Sequence, residues 1–324
     1  MASRFDFHGL VIETDSNLPY DPARLLLAPL PSAPPDLPAD LTISLDPAAQ
    51  GELEQRLPGP DAFAYAPNRL RISNDVVELA APEALLTIVG ARISGRVSRA
   101  FVAGEGGADL IAQGPLLVAL AVALRSLGCY HLHAAALVLP GHGTVLVPGP
   151  SGSGKSTLAT ALIGQGTRFL GDDTLFVRRE GDNLRLLALP RDFHLSGQSA
   201  EALGLTSPRS SAQLKGSGKG LLDARAHFPG RFIAEAPAPS FILIPRITGL
   251  PTTRLEPAGP SATLGALLES SVLVASRGLP GGEGHLPALA GLADGALGFH
   301  ADLGLDLLAE PAATASRILA RLAS

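Results

Sequence analysis

The sequence predicts an α/β protein in which a mixed β-sheet surrounds a phosphate-binding loop, preceded by a smaller, mostly β region. Three observations carry this prediction. First, Gly149-Pro150-Ser151-Gly152-Ser153-Gly154-Lys155-Ser156-Thr157 completes the pattern G-x-x-x-x-G-K-[ST]. Second, the pattern sits between an apolar run suited to a buried strand, Gly143 to Val147, and a helical stretch from Ser156 to Gly164, where Leu158, Leu162 and Ile163 form one stripe. Third, strand candidates then follow one another instead of alternating with helices, which separates the chain from an ordinary doubly wound sheet.

The residue types of the loop state its chemistry. Glycines let successive backbone N–H groups turn inward around phosphate oxygens. Lys155 places a point charge at the outer phosphates, and the Ser156 hydroxyl suits a magnesium ion. The helix that follows aims its positive end at the same anion. A plain Gly/Ser turn requires neither the lysine nor the flanking strand and helix. Residues 149–157 are therefore expected to bind a nucleoside triphosphate, ATP, with Mg2+.

Residues 1–113 are expected to form the β region and residues 114–324 the phosphate-loop domain. In the first, Phe5, Phe7 and Leu10 to Ile12 suggest an opening strand. Leu41 to Leu45 and Leu70 to Ser73 alternate apolar with polar residues, and Val76 to Leu79 and Leu86 to Val89 add strand candidates. Pro31 to Pro38 is too proline-rich for a helix or a central strand.

In the second region, Gly114-Pro115 reads as a helix start with Pro115 at the first helical position, and Gly128 reads as the cap at the far end. The residues between, Leu116 to Leu127, are apolar on nearly every side and should be buried. Tyr130 to Leu139 and Gly143 to Val147, joined by a Gly/Pro turn, read as a hairpin. Thr167 to Leu170, Thr174 to Arg178, Leu184 to Leu189 and Phe241 to Ile244 read as strands, with Thr252 to Leu255 a further candidate. Helices are expected around Ala262 to Leu268 and Ala312 to Leu322. Thr206 to Gly220, carrying Arg209, Lys215 and Lys219, reads as a polar loop, either a solvated surface or a contact for phosphate or substrate.

Composition narrows the classes. Hydrophobic residues make up 46% of the chain, enough for a sizeable core, but Trp is absent and aromatics are only 4%, so the core is aliphatic. Gly 36 and Pro 28 together are about a fifth of the residues, below the roughly 25–30% at which disorder becomes the better reading. A net charge of −5 argues against broad electrostatic binding to nucleic acid. The single cysteine, Cys129, rules out an intramolecular disulfide framework and reads as a core residue. Leu116 to Leu124, the longest apolar run, is too short to span a membrane, and Met1 to Asp6 lacks the apolar stretch of a secretory signal. A cytoplasmic protein with neither a nucleic-acid nor a membrane partner is expected.

Phosphoryl transfer requires more than a cradle: it needs a carboxylate for the metal and, for a hydroxyl acceptor, a base. Asp172 and Asp173 stand at the end of the strand that follows the loop helix, where carboxylates would lie beside the phosphates. On residue type alone the pair also suits a turn or a helix cap. His133, on the first strand of the expected hairpin, equally suits a core histidine, and His131 lies on the same face as its competitor.

Together, His133-Ala134-Ala135-Ala136, the loop Gly149 to Ser156, and Leu170-Gly171-Asp172-Asp173 resemble the catalytic domain of the HPr kinase/phosphorylase family, of the phosphoenolpyruvate carboxykinase-like fold group. The spacing from lysine to the first aspartate is similar to the family's; that from histidine to loop is longer by about one residue, in the Pro140-Gly141 turn. The remainder of the chain is more similar to HPr-kinase-related proteins with a comparable N-terminal β region. The resemblance implies a mixed-sheet kinase domain of the HPr kinase C-terminal type. It also implies Asp172 as the base, Lys155 on the β- and γ-phosphates, Ser156 and Asp173 on magnesium, and His133 orienting the aspartates. Oligomers are frequent in the family, so a homo-oligomer is implied. The family's signature after the Asp-Asp strand is not recognisable; Leu189-Pro190-Arg191-Asp192-Phe193-His194-Leu195 stands there, with Asp192 a candidate for the acidic ligand and Arg191 for a phosphate.

These readings lead to an ATP-dependent kinase acting on a hydroxyl, foremost Ser or Thr of a protein or peptide. A kinase of a sugar or polyol, and a nucleotide-driven switch or ATPase, are the alternatives. Leu195-Ser196-Gly197-Gln198 resembles a shortened transporter signature, but the next strong strand ends in Pro245-Arg246 where that class has Asp-Glu.

Overall fold

Alternating apolar residues give the first third of the chain eight strands. The computed structural model describes residues 2–49, 52–53, 63–65, 68–205, 219–271 and 279–324; Arg209 and Lys215 lie outside them. By packing, the chain forms two units, Met1–Cys129 with Ser276–Gly282, and Tyr130–Ala275 with Glu283–Ser324. The fold is mixed α/β.

The first unit carries strands β1 (Ser3–Phe7), β2 (Leu10–Ser16), β3 (Leu41–Ala48), β4 (Phe63–Tyr65), β5 (Asn68–Ser73), β6 (Val76–Ala81), β7 (Ala84–Val89) and β8 (Arg92–Ser98). They form an eight-stranded sheet in the order β1-β2-β3-β8-β7-β6-β5-β4. The opening run is two strands, because His8 and Gly9 at φ 54° and 85° turn the chain back on itself. Helices α1 (Pro22–Leu27), α2 (Arg99–Ala103), α3 (Gly107–Ile111) and α4 (Leu117–Arg125) complete the unit.

The helix expected from Pro115 starts earlier. A π turn, Ala112–Leu116, joins α3 to α4 and takes Pro115 inside it, where a looser turn tolerates the missing N–H. The stretch Gly107–Arg125, with mean hydropathy 1.8, is long and apolar enough to cross a membrane, yet 67% of it is buried inside the protein. It packs on β6, β7 and β8, which is why the division between units falls after Cys129 and not near residue 113.

The second unit is built on β9 (Cys129–Leu132), β10 (Ala134–Leu139), β11 (Gly143–Pro148), β12 (Arg168–Gly171), β13 (Leu175–Glu180), β14 (Asn183–Ala188), β15 (Phe193–Ser196), β16 (Lys219–Leu222), β17 (Glu235–Pro237), β18 (Phe241–Ile247), β19 (Arg254–Ala258) and β20 (Leu297–Leu303). Its six-stranded sheet has the order β12-β10-β11-β18-β20-β19. β11, β18 and β20 run parallel, and β10 is antiparallel to both β11 and β12. A four-stranded sheet, β17-β14-β13-β9, and the hairpin β15-β16 accompany it.

Helices α5 (Lys155–Gly164), α6 (Gly197–Ala202), α7 (Ala224–His227), α8 (Pro260–Glu269), α9 (His285–Asp294), α10 (Asp306–Ala309) and α11 (Pro311–Leu322) cover these sheets. Strand alternation divides the core. Ala135, Leu137, Val145 and Val147 pack with Leu158, Leu162 and Ile318 on one face. Ala134, Ala136 and Leu146 pack with Leu175, Leu186 and Leu289 on the other. The central sheet is thus buried on both sides, which fits its continuous apolar strands.

Candidate functional site

One edge of the six-stranded sheet collects the polar residues that the aliphatic core excludes. β11 ends in the glycine loop, β12 ends beside it in Asp172 and Asp173, and β10 starts there. The loop follows from its glycines: Gly149, Gly152 and Gly154 hold φ of 152°, 88° and 96°. A φ of 96° strains any residue with a Cβ, and a Cβ on Gly154 would also press on the Leu303 Cδ1 methyl, so glycine suits the position. Lys155 opens α5 and is only 5% exposed.

Lys155 is the hub. Its ammonium donates to the Pro150 carbonyl at 3.3 Å and lies 3.0 Å from His133 Nε2. Burial, with the Lys155 charge next in weight, lowers the His133 pKa to about 4, so the ring is neutral at physiological pH and its Nε2 accepts from the lysine. The same ring hydrogen-bonds the Asp173 backbone, which assigns the remaining proton to Nδ1. Burial also lowers the Lys155 pKa, against the raising effect of Asp172 and Asp173.

His133 is not on the hairpin strand. The chain leaves the four-stranded sheet at Leu132 and enters the six-stranded sheet at Ala134, and His133 occupies the step, its N–H held by the Ser270 carbonyl at 2.8 Å. His131 therefore belongs to β9, where its ring meets Phe176 edge-on at 5.6 Å. Burial lowers its pKa to about 3, and a neutral ring packed on an aromatic is a core histidine.

The aspartates face different partners. Asp172, 2% exposed, accepts from the His194 N–H at 3.2 Å and from the Ser156 hydroxyl. Burial, and then the neighbouring Asp173 charge, raise its pKa from 3.8 to about 6. Asp173 accepts from the Thr174 hydroxyl at 2.7 Å and faces Arg191 Nη1 at 3.6 Å and His194 Nδ1 at 3.2 Å. Burial alone would raise its pKa, but Arg191 and His194 outweigh it and hold the carboxyl well below the usual range. Ser156 is thus tied to Asp172, and a metal on Asp173 would displace one of its present partners.

The hairpin β15-β16 and the start of α6 pack along the loop helix. Thr157 Oγ1 is 2.9 Å from Ser199 Oγ, and Ser199 is joined to Ser196 at 2.9 Å. Lys219 lies on β16, not in a loop, and donates to Ser151 Oγ at 3.1 Å. Sequence reading gave His194 and Ser199 no role. The alternation Phe193-His194-Leu195-Ser196, with Phe193 and Leu195 buried, is the signal that turns His194 towards the aspartates.

The residues fit a triphosphate with magnesium. The Ser153 hydroxyl is buried inside the loop without a partner, a donor placed where a phosphate oxygen would accept it. Among the described residues no cluster of three or more His, Cys, Asp or Glu could hold a metal by itself. One hydroxyl and one or two carboxylates suit Mg2+, which takes most of its ligands from water and substrate phosphates. Ser156, Asp172 and Asp173 are the oxygens available for it.

No protein-family model and no curated protein matches the chain. Among solved structures it is similar to the Hpr(Ser) kinase/phosphatase from Coxiella burnetii, at 18% identity and a TM-score of 0.27, over 39% of this chain and 70% of that one. A likeness of that size leaves family and activity to be argued from the residues themselves.

Proposed function

We propose that the chain is an ATP-dependent kinase that transfers the γ-phosphate to a hydroxyl, foremost Ser or Thr of a protein or peptide. The observation that carries the reading is the juxtaposition, at one sheet edge, of a complete phosphate loop with a buried carboxylate of raised pKa. In this reading the loop N–H groups, the Ser153 hydroxyl and Lys155 bind the phosphates. Asp172 takes the acceptor's proton, the acceptor oxygen bonds to the γ-phosphorus, and the bond to ADP breaks. A pKa of about 6 suits a general base, which is then ionised at neutral pH yet still basic. Ser156 and Asp173 would hold Mg2+, which neutralises charge on the phosphate oxygens. His133 positions Lys155 and, through the Asp173 backbone, the aspartates.

The reading is tested with γ-labelled ATP and a panel of Ser/Thr peptides, sugars and polyols. Label on a peptide supports it, and label on a sugar or polyol moves the acceptor class. Hydrolysis alone, with no labelled acceptor, replaces it by the nucleotide-dependent switch.

A further inference from the structure

The glycine loop has two flanks, and they differ in character. On the β10 and β12 side stand His133, Asp172 and Asp173. On the opposite side the parallel strands β18 and β20 end next to the loop. Pro245 Cγ lies 3.5 Å from a Cβ placed on Gly149, and Ile247 Cγ1 lies 3.6 Å from one placed on Gly154. The turns that follow these strands are laced together: Thr248 N–H donates to the Leu303 carbonyl at 3.1 Å, and Leu305 N–H to the Leu250 carbonyl at 2.8 Å.

This corner exposes aliphatic side chains. Ile247, Leu250 and Leu305 are 68%, 41% and 62% exposed. Among the described residues of the second unit, the other exposed large apolar side chains are Leu286 and Leu297, and Leu297 starts β20 at the opposite sheet edge. A single exposed leucine needs no explanation, but three at the end of β18 and on the turns after β18 and β20, beside a phosphate loop, form a patch. The patch lies outside the carboxyl ends of parallel strands, where open α/β sheets take their ligands.

We propose that Ile247, Leu250 and Leu305 form the platform for the base of the bound nucleoside triphosphate. This rests on the reading of the loop as a triphosphate cradle. The terminal phosphate belongs on the flank where Lys155 meets His133 and the aspartates, so the nucleoside end leaves over the other flank. The first surface it meets there is apolar, suited to the face of a purine ring. Arg246, held by the buried carboxylate of Asp302 at 2.9 Å, fixes the polar rim of that surface.

The test compares Mg·ATP with Mg·tripolyphosphate, a probe that has the phosphates and no base, by calorimetry on the full chain. Ile247→Asn and Leu305→Asn add no charge and alter exposed positions, so the fold should hold, which their melting temperatures verify. Each is expected to weaken ATP by about tenfold, from lost apolar burial, and to leave tripolyphosphate within twofold. Leu297→Asn should change neither. Unchanged ATP affinity in both variants, or equal weakening of both ligands, overturns the proposal. Lys155→Met separates it from the reading beneath: if that variant binds both ligands as the wild type does, or the wild type binds neither, the cradle itself falls and the platform with it.

Discussion

Asp172→Asn should make the protein more stable and less active, and the raised pKa of the buried carboxyl sets the first magnitude. Raising the carboxyl from 3.8 to about 6 penalises its ionised form by about 3 kcal/mol in the folded state. The folded protein therefore holds this proton more tightly than the unfolded chain. The penalty is absent below pH 3.8, grows through the interval and is complete above about 6. Asparagine removes it at small cost in hydrogen bonds. Its carbonyl can accept from the His194 N–H, and the Ser156 hydroxyl can turn to accept from the new amide. At pH 8 the variant should gain roughly 2–3 kcal/mol, or about 5–10 °C in melting temperature for a unit of this size. At pH 4 the difference should nearly vanish. Phosphoryl transfer should fall by about 10²–10⁴, the usual contribution of a positioned base, while ATP binding stays within a few-fold. Thermal melts from pH 4 to 8, run beside transfer assays, measure both. A variant no more stable at pH 8 than the wild type refutes the raised pKa. A variant within threefold of wild-type transfer refutes Asp172 as the base.

Other expectations follow from the same geometry. Wild-type kcat/KM should fall on the acid side near pH 6, as Asp172 of the free enzyme gains its proton, and a profile of kcat/KM across pH 4.5–8 checks it. Gly154→Ala should abolish nucleotide binding and destabilise the second unit by about 2 kcal/mol or more, because φ of 96° is strained for alanine and its methyl meets Leu303; calorimetry and thermal melts read the two effects. Asp173→Asn should raise the Mg2+ concentration needed for half-maximal transfer by about tenfold or more, if that carboxylate holds the ion; an unchanged Mg2+ dependence would leave Ser156 and Asp172 as its ligands. His133→Ala should weaken ATP binding by about tenfold, by freeing Lys155 from its neutral acceptor, and His133→Gln should recover most of that loss.

What could be read from the sequence was what local chemistry dictates. The loop is set by glycines that need positive φ and by a helix that must begin at Lys155, so its nine residues and both flanks were legible. That Asp172 and Asp173 stand together at a strand end beside the loop was legible, because the strand that follows the loop helix stops there. Which partners each carboxylate meets was not. Whether Ser156 meets Asp172 or Asp173, and which of them Arg191 neutralises, depends on how β15 is brought back against β12, and no local periodicity encodes that return. The step at His133 escaped for a similar reason: Tyr130 to Leu139 reads as one apolar run, and only packing between two sheets divides it. Pro115 misled because proline at a helix start is the common case, and a π turn inside a longer helix leaves no signature in composition. The apolar corner at Ile247 and Leu305 depends on the parallel pairing of β18 with β20, strands distant in sequence.

The most direct test of the central claim is a single-turnover experiment with γ-labelled ATP, wild-type protein and a mixed pool of hydroxyl acceptors, with Asp172→Asn in parallel. The wild type should place label in an acid-stable phosphate ester, and the variant should hold bound, uncleaved ATP. Label found only as inorganic phosphate, at equal rates in both proteins, would contradict the claim.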